Sequence, residues 1–211
     1  MLSEARLYVI SAEGAPVAQV RALCAAVDGG ADIVQLRNKS AAPTELLPAA
    51  RQLVAYCRER GALTIVNDHL DVAIDADADG VHLGQDDLAI AEARRRWPGP
   101  RLIGRSTQSL DQATSAAAQG ADYLGVGPVH ATPTKPGRPA TGVELVSAVA
   151  RSGIGIPWFA IGGIDASNID DVIGAGASRV AVVRAVAAAP DPAAAAAELR
   201  ARLGAPVGGS A

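Results

Sequence analysis

The chain has 211 residues, 49% of them apolar, with a formal net charge of −3 and only 3% aromatics. That length and apolar content suit one α/β barrel with a single large core, while the near-neutral charge and scarcity of rings leave no basic stripe or stacking platform for nucleic acid. No apolar run approaches ~20 residues, and the opening Met1-Leu2-Ser3-Glu4-Ala5 lacks the basic end and apolar stretch of a signal peptide, so a cytoplasmic protein with no membrane partner is expected.

A first strand is predicted at 7–10 and a first helix at 17–27. The turn between them, Ile10-Ser11-Ala12-Glu13-Gly14, is too poor in glycine for the phosphate-binding turn of a doubly wound sheet. Gly30-Ala31-Asp32-Ile33-Val34 then ends the helix, turns at Asp32 and starts strand two. Helix 44–60, strand 63–66 and a short helix 70–76 follow, and Ala78-Asp79-Gly80-Val81 repeats the turn into strand four. Next come helix 88–96, strand 102–104, helix 109–119 and the third repeat, Gly120-Ala121-Asp122-Tyr123-Leu124. Helix 143–151, strand 158–161 and helix 167–174 lead to the fourth, Gly176-Ala177-Ser178-Arg179-Val180, and Pro190-Asp191-Pro192 starts the last helix, 193–203. The repeats recur at roughly 40 to 55 residues, which spans two βα units of about 25 rather than one. Cys24 and Cys57 fall inside helical patterns without CxxC spacing and read as small buried hydrophobes.

Apolar, β-branched strands separated by amphipathic helices indicate a parallel sheet covered on both faces. Eight such units close into a single (β/α)8 TIM barrel over residues 1–204, with 205–211 a disordered tail. In that architecture the site gathers at the C-terminal ends of the strands. Strand two leads to Gln35, Arg37 and Lys39, which alternation places on one side; strand three leads to Asn67 and Asp68, and strand four to Gln85 and Asp87. Strand five gives Ser106, and strand six leads into Pro128-Val129-His130-Ala131-Thr132-Pro133-Thr134-Lys135. Strand seven ends in Gly162-Gly163-Ile164-Asp165, and strand eight in Val183-Arg184-Ala185.

These cations, carboxylates, hydroxyls and bare amides suit a polyanionic substrate with a metal, yet each has an ordinary alternative. Arg37 and Lys39 also read as solvated charges. Asp68 and Asp87 read as caps of the helices that follow them, or as two carboxylates sharing a hard cation such as Mg²⁺. Gly162-Gly163 serves a tight turn, or a phosphate cradle built by the loops after strands seven and eight. His69, His82 and His130 lack metal-ligand spacing, which disfavours zinc. Segment 131–141, with three prolines and one glycine, reads as the lid.

Taken in order, Gln35-Leu36-Arg37-Asn38-Lys39, Asn67-Asp68, Gly80-Val81-His82-Leu83-Gly84-Gln85-Asp86-Asp87, Gly104-Arg105-Ser106, Gly127-Pro128, Thr132-Pro133-Thr134-Lys135 and Ile161-Gly162-Gly163-Ile164 resemble the motifs of thiamine-phosphate synthases, over Leu7 to about Val186. The resemblance implies a transferase that joins 4-amino-2-methyl-5-hydroxymethylpyrimidine diphosphate to hydroxyethylthiazole phosphate and releases pyrophosphate by a dissociative route. By position, it places Gln35, Arg37, Asn38, Lys39, Asn67, Ser106 and Lys135 on the pyrimidine diphosphate. It places Thr132, Thr134, Gly163, Val183 and Arg184 on the thiazole phosphate, and Asp68 and Asp87, but not Asp86, on Mg²⁺. The implied partners are small phosphorylated molecules, with a homo-oligomer left open.

Three positions depart from the family pattern. His69 stands where Arg commonly follows Asn-Asp, Gln108 where His commonly follows Ser-Thr, and Arg184 where a Ser usually helps hold the thiazole phosphate. The rival readings are a thiazole tautomerase-like homologue, a phosphosugar isomerase or aldolase, and a non-catalytic binder of thiamine precursors. The first would carry a catalytic His in place of Pro128 and lack the acidic pair; an aldolase would want a Schiff-base Lys inside a strand.

Overall fold

Strands that are apolar on both faces must be covered on both, and closure of the sheet on itself meets that requirement. A computed structural model describes residues 1–132 and 139–204. Its strands are β1 Leu7–Ile10, β2 Ile33–Leu36, β3 Leu63–Asn67, β4 Gly80–Leu83, β5 Leu102–Thr107, β6 Tyr123–Val126, β7 Trp158–Ile161 and β8 Val180–Val182. They pair in parallel in sequence order, and β8 returns to β1 through Leu7↔Val180 to close the barrel. Helices α1 Pro16–Asp28, α2 Pro43–Arg60, α3 Leu70–Asp75, α4 Ile90–Arg96, α5 Leu110–Ala118, α6 Gly142–Arg151 and α7 Ile169–Gly174 separate the strands; α8 Arg184–Ala187 and α9 Pro192–Arg202 follow β8. The expected (β/α)8 architecture is therefore the one observed. No helix among the described residues is long and apolar enough to cross a membrane.

Apart from shifts of one or two residues at element ends, two elements differ from expectation. β5 runs to Thr107 because Arg105, Ser106 and Thr107 pair with Leu124, Gly125 and Val126, which puts Ser106 on the strand rather than after it. The four-residue α8 is too short to show a helical period in the sequence. The 205–211 tail, and within the lid segment residues 133–138 with Thr134 and Lys135, lie outside the described residues.

The barrel interior is filled by Tyr8, Tyr123 and Phe159 with small and aliphatic neighbours. The three rings meet edge to face with centroids 5.8, 5.4 and 6.0 Å apart, the arrangement that ring quadrupoles favour. At the barrel's N-terminal end the sequence repeat acquires a physical meaning. Asp32 accepts the N–H groups of Arg6 and Leu7 at 2.8 and 2.9 Å, Asp79 that of Thr64 at 2.8 Å, and Asp122 that of Ile103 at 2.7 Å. Each Asp of an even strand thus ties down the start of the odd strand before it, so the period is two units long. In the fourth repeat Ser178 takes the place, and its carbonyl accepts from the Arg6 guanidinium at 3.4 Å.

Candidate active site at the barrel mouth

β3 ends at Asn67, and Asp68 leaves it in the left-handed region with φ 60°. A non-glycine residue held there costs about 1–2 kcal/mol, and the turn is fixed by the Asp68 N–H donating to the His82 carbonyl at 2.9 Å. The Asp68 carboxyl hydrogen-bonds to that of Asp87 and lies 3.4 Å from Lys39 Nζ. Asp87 accepts the Gly84 N–H at 2.6 Å. The N-cap positions of α3 and α4 belong to His69 and Ala89, so the capping alternative for both aspartates falls.

The two carboxyls have opposite tendencies. Burial, reinforced by the hydrogen bond and charge of Asp87, pushes the Asp68 pKa up against the pull of Lys39. Burial also opposes ionisation of Asp87, but the hydrogen bond from Asp68, the Gly84 N–H and the charges of Lys39 and Arg105 outweigh it and hold Asp87 below the ordinary carboxylate value. The two titrations are linked, with Asp87 ionising before Asp68. Such a pair fits Mg²⁺, which takes one or two protein carboxylates and leaves its other positions to water and substrate phosphates. Among the described residues there is no cluster of three or more His, Cys, Asp or Glu side chains, the set that zinc would want.

Beside the pair, Arg37 is buried and its guanidinium meets Glu13 at 2.9 Å. Ser11 Oγ accepts the Arg37 N–H and donates to the Arg37 carbonyl, both at 2.8 Å, which fixes the exit of β2. Asn38 faces inward to the loops: its amide donates to Gly14 O and Gln19 Oε1, and its Oδ1 accepts from the N–H groups of Ser40 and Ala41. Its side chain therefore shapes the Arg37–Lys39 segment. Lys39 is exposed, and Asn67 is buried at the end of β3. Arg105 donates to Gln85 O and Leu88 O at 3.1 and 2.9 Å, bracing the loop that carries Asp87.

Sequence reasoning passed over a buried polar chain under the mouth. The Gln35 amide donates to Tyr8 Oη, Tyr8 Oη lies 3.0 Å from Tyr123 Oη, His82 Nδ1 lies 3.2 Å from Tyr123 Oη, and His82 Nε2 lies 2.9 Å from Ser106 Oγ. The available signal was two tyrosines at inward positions of otherwise aliphatic strands, whose hydroxyls need partners when buried.

On the β5–β8 side the mouth opens into a cavity of about 410 Å³ whose lining includes Ser106, Thr132, Gly162, Gly163, Val183 and Arg184. Gly162 has φ +105° and a Cβ there would sit 2.5 Å from Pro128 Cα; Gly163 has φ +64° and a Cβ would sit 2.7 Å from His130 Cβ. Both glycines are thus required by conformation and by the close approach of the β6–α6 loop, and they leave a wall of bare backbone. Asp68, Asp87, Arg37 and Lys39 follow β2 to β4 on one side of the mouth, and the cavity, with Ser106, Asp165 and Arg184 in its lining, opens on the other.

Fold and mouth together define a (β/α)8-barrel enzyme. Residues 7–186 match the family described as thiamine monophosphate synthase. The chain is 57% identical over 187 residues to the thiamine-phosphate synthase of Saccharopolyspora erythraea, covering 85% of this chain and 84% of that protein. It is 48% identical over 202 residues to that of Thermosynechococcus vestitus, covering 96% of this chain but only 57% of the longer relative. The solved thiamine phosphate pyrophosphorylase from Pyrococcus furiosus matches with a TM-score of 0.86 at 36% identity, over 95% of this chain and 96% of that one. The chain belongs to the thiamine monophosphate synthase family, transferases of thiamine biosynthesis.

Proposed function

We propose that the chain condenses 4-amino-2-methyl-5-hydroxymethylpyrimidine diphosphate with hydroxyethylthiazole phosphate to give thiamine phosphate and pyrophosphate. The observation that carries this reading is the divided mouth: Asp68, Asp87, Arg37 and Lys39 on one side and the glycine-walled cavity on the other. One half suits a diphosphate leaving group, the other a second, less charged substrate.

Gln35, Asn67 and Ser106 hold the pyrimidine, and Asn38 keeps its loop in place. Arg37, Lys39 and Lys135 meet the charge that grows on pyrophosphate as the C–O bond breaks; losing one such preorganised donor costs about 3–4 kcal/mol, or roughly 10²–10³-fold in rate. Asp68 and Asp87 would hold Mg²⁺, which when bound supplies positive charge to the departing oxygens. Thr132, Thr134, Gly163, Val183 and Arg184 hold the thiazole phosphate so that its nitrogen lies beside the CH₂ group, which adds proximity and keeps water out.

Incubation with both substrates tests the reading: thiamine phosphate and pyrophosphate are expected in equal amounts, and no product with both present refutes it. In Arg184→Ser, a raised KM for the thiazole phosphate is expected if the guanidinium binds it bidentately; an unchanged KM removes Arg184 from the site.

A further inference from the structure

The proposed reaction gives Glu13 no part, yet Glu13 holds the guanidinium on which the diphosphate is placed. Its Oε1 accepts from Arg37 Nη1 at 2.9 Å, and the two side chains stand in unlike surroundings: that of Arg37 is 8% exposed and that of Glu13 64%. A buried guanidinium needs an anion beside it, because its charge has lost its water. Among the described residues the Arg37 guanidinium has no other hydrogen-bond or ion-pair partner, and neither has the Glu13 carboxylate.

The backbone around Glu13 is fixed while its carboxylate is not. Gln19 Nε2 donates to Ala12 O at 2.7 Å and Asn38 Nδ2 to Gly14 O at 2.8 Å, so the residues on either side of Glu13 are tied to α1 and to the exit of β2. Turning the carboxylate away therefore changes only the side-chain torsions of a water-facing residue and leaves the loop in place. A residue that positioned Arg37 would itself be held by further bonds, and among the described residues Glu13 is held by none. The contact has the properties of an exchangeable counter-ion.

We infer that Glu13 is an internal competitor of the diphosphate: its carboxylate neutralises Arg37 between turnovers, gives way to a phosphate oxygen when the pyrimidine diphosphate binds, and takes the guanidinium back as pyrophosphate leaves. This rests on the placement of the diphosphate at Arg37 proposed above. The exchange replaces one hydrogen bond to an exposed carboxylate, an interaction that stabilises weakly, by contact with a phosphate that can engage two guanidinium N–H groups. Glu13 thus limits how tightly the product is held by the same cation that helps it leave.

Pyrophosphate binding to the full chain in the presence of Mg²⁺, measured by calorimetry at fixed ionic strength, tests it. Glu13→Gln, which keeps the shape and removes the charge, is expected to bind pyrophosphate about 2- to 5-fold more tightly than the wild type. In the background of Arg37→Met the same substitution is expected to change nothing, because the competition acts through the guanidinium. Unchanged or weaker binding in Glu13→Gln overturns the inference, and so does an equal gain in both backgrounds, which would make Glu13 a general source of negative charge. If Arg37→Met by itself leaves pyrophosphate affinity at the wild-type value, the placement of the diphosphate fails and the inference falls with it. Arg37→Gln supplies the same background should Arg37→Met fail to fold.

Discussion

Aspartates sit at strand termini at both ends of this barrel, under opposite conditions. At the N-terminal end Asp32, Asp79 and Asp122 are each answered by backbone N–H groups of the neighbouring strand. At the mouth Asp68 and Asp87 answer each other, relieved among the described residues by Lys39, Arg105 and the Gly84 N–H. A carboxylate filled by its own chain supports the fold; two carboxylates turned on one another weaken it, and in the proposed function they would hold the cation. The same residue at the same kind of position thus separates the end that holds the barrel together from the end that works.

Substitutions should divide along this line. The largest effect is expected from Asp68→Asn or Asp87→Asn, which should lower turnover about 10²–10³-fold with no loss in unfolding midpoint; steady-state kinetics and thermal unfolding measured side by side would reveal a loss of stability instead. Asp32→Ala should do the reverse. It leaves two strand-end N–H groups without an acceptor, worth about 2–3 kcal/mol of stability, while kcat/KM per folded molecule stays unchanged; urea unfolding reads the first and active-site-normalised kinetics the second. Gly162→Ala forces a side chain into a left-handed turn against Pro128 and should cost about 1–3 kcal/mol together with a raised thiazole-phosphate KM.

The smallest effect is on pH dependence. The Asp68 pKa is raised on folding above its ordinary 3.8, so the native state holds this proton more tightly than the unfolded chain. Stability from this group is therefore greatest below that ordinary value and is lost as pH rises through the raised folded value. Asp68→Asn should gain stability over the wild type near neutral pH, and the gain should vanish in acid; urea unfolding at both conditions would expose a gain that does not shrink.

Much of this division was legible before folding. The Gly-Ala-Asp repeats marked the strand starts, and the ordered motifs from Gln35 to Gly163 marked the mouth. Whether Asp68 and Asp87 cap helices was not, because the deciding contact lies between β3 and β4 exits and local sequence favours a cap in either case. Glu13 meets Arg37 and Tyr8 meets Tyr123 across sequence separations of 24 and 115 residues, and no local pattern announces such partners. α8 was invisible because four residues carry no period.

Divalent-cation binding in the presence of inorganic pyrophosphate, followed by calorimetry, bears most directly on the contrast between the two ends. Mg²⁺ should bind the wild type and Asp122→Asn alike, and bind Asp68→Asn or Asp87→Asn at least about 10-fold more weakly. Equal Mg²⁺ affinity in all four proteins would contradict the assignment of the mouth pair as the metal site.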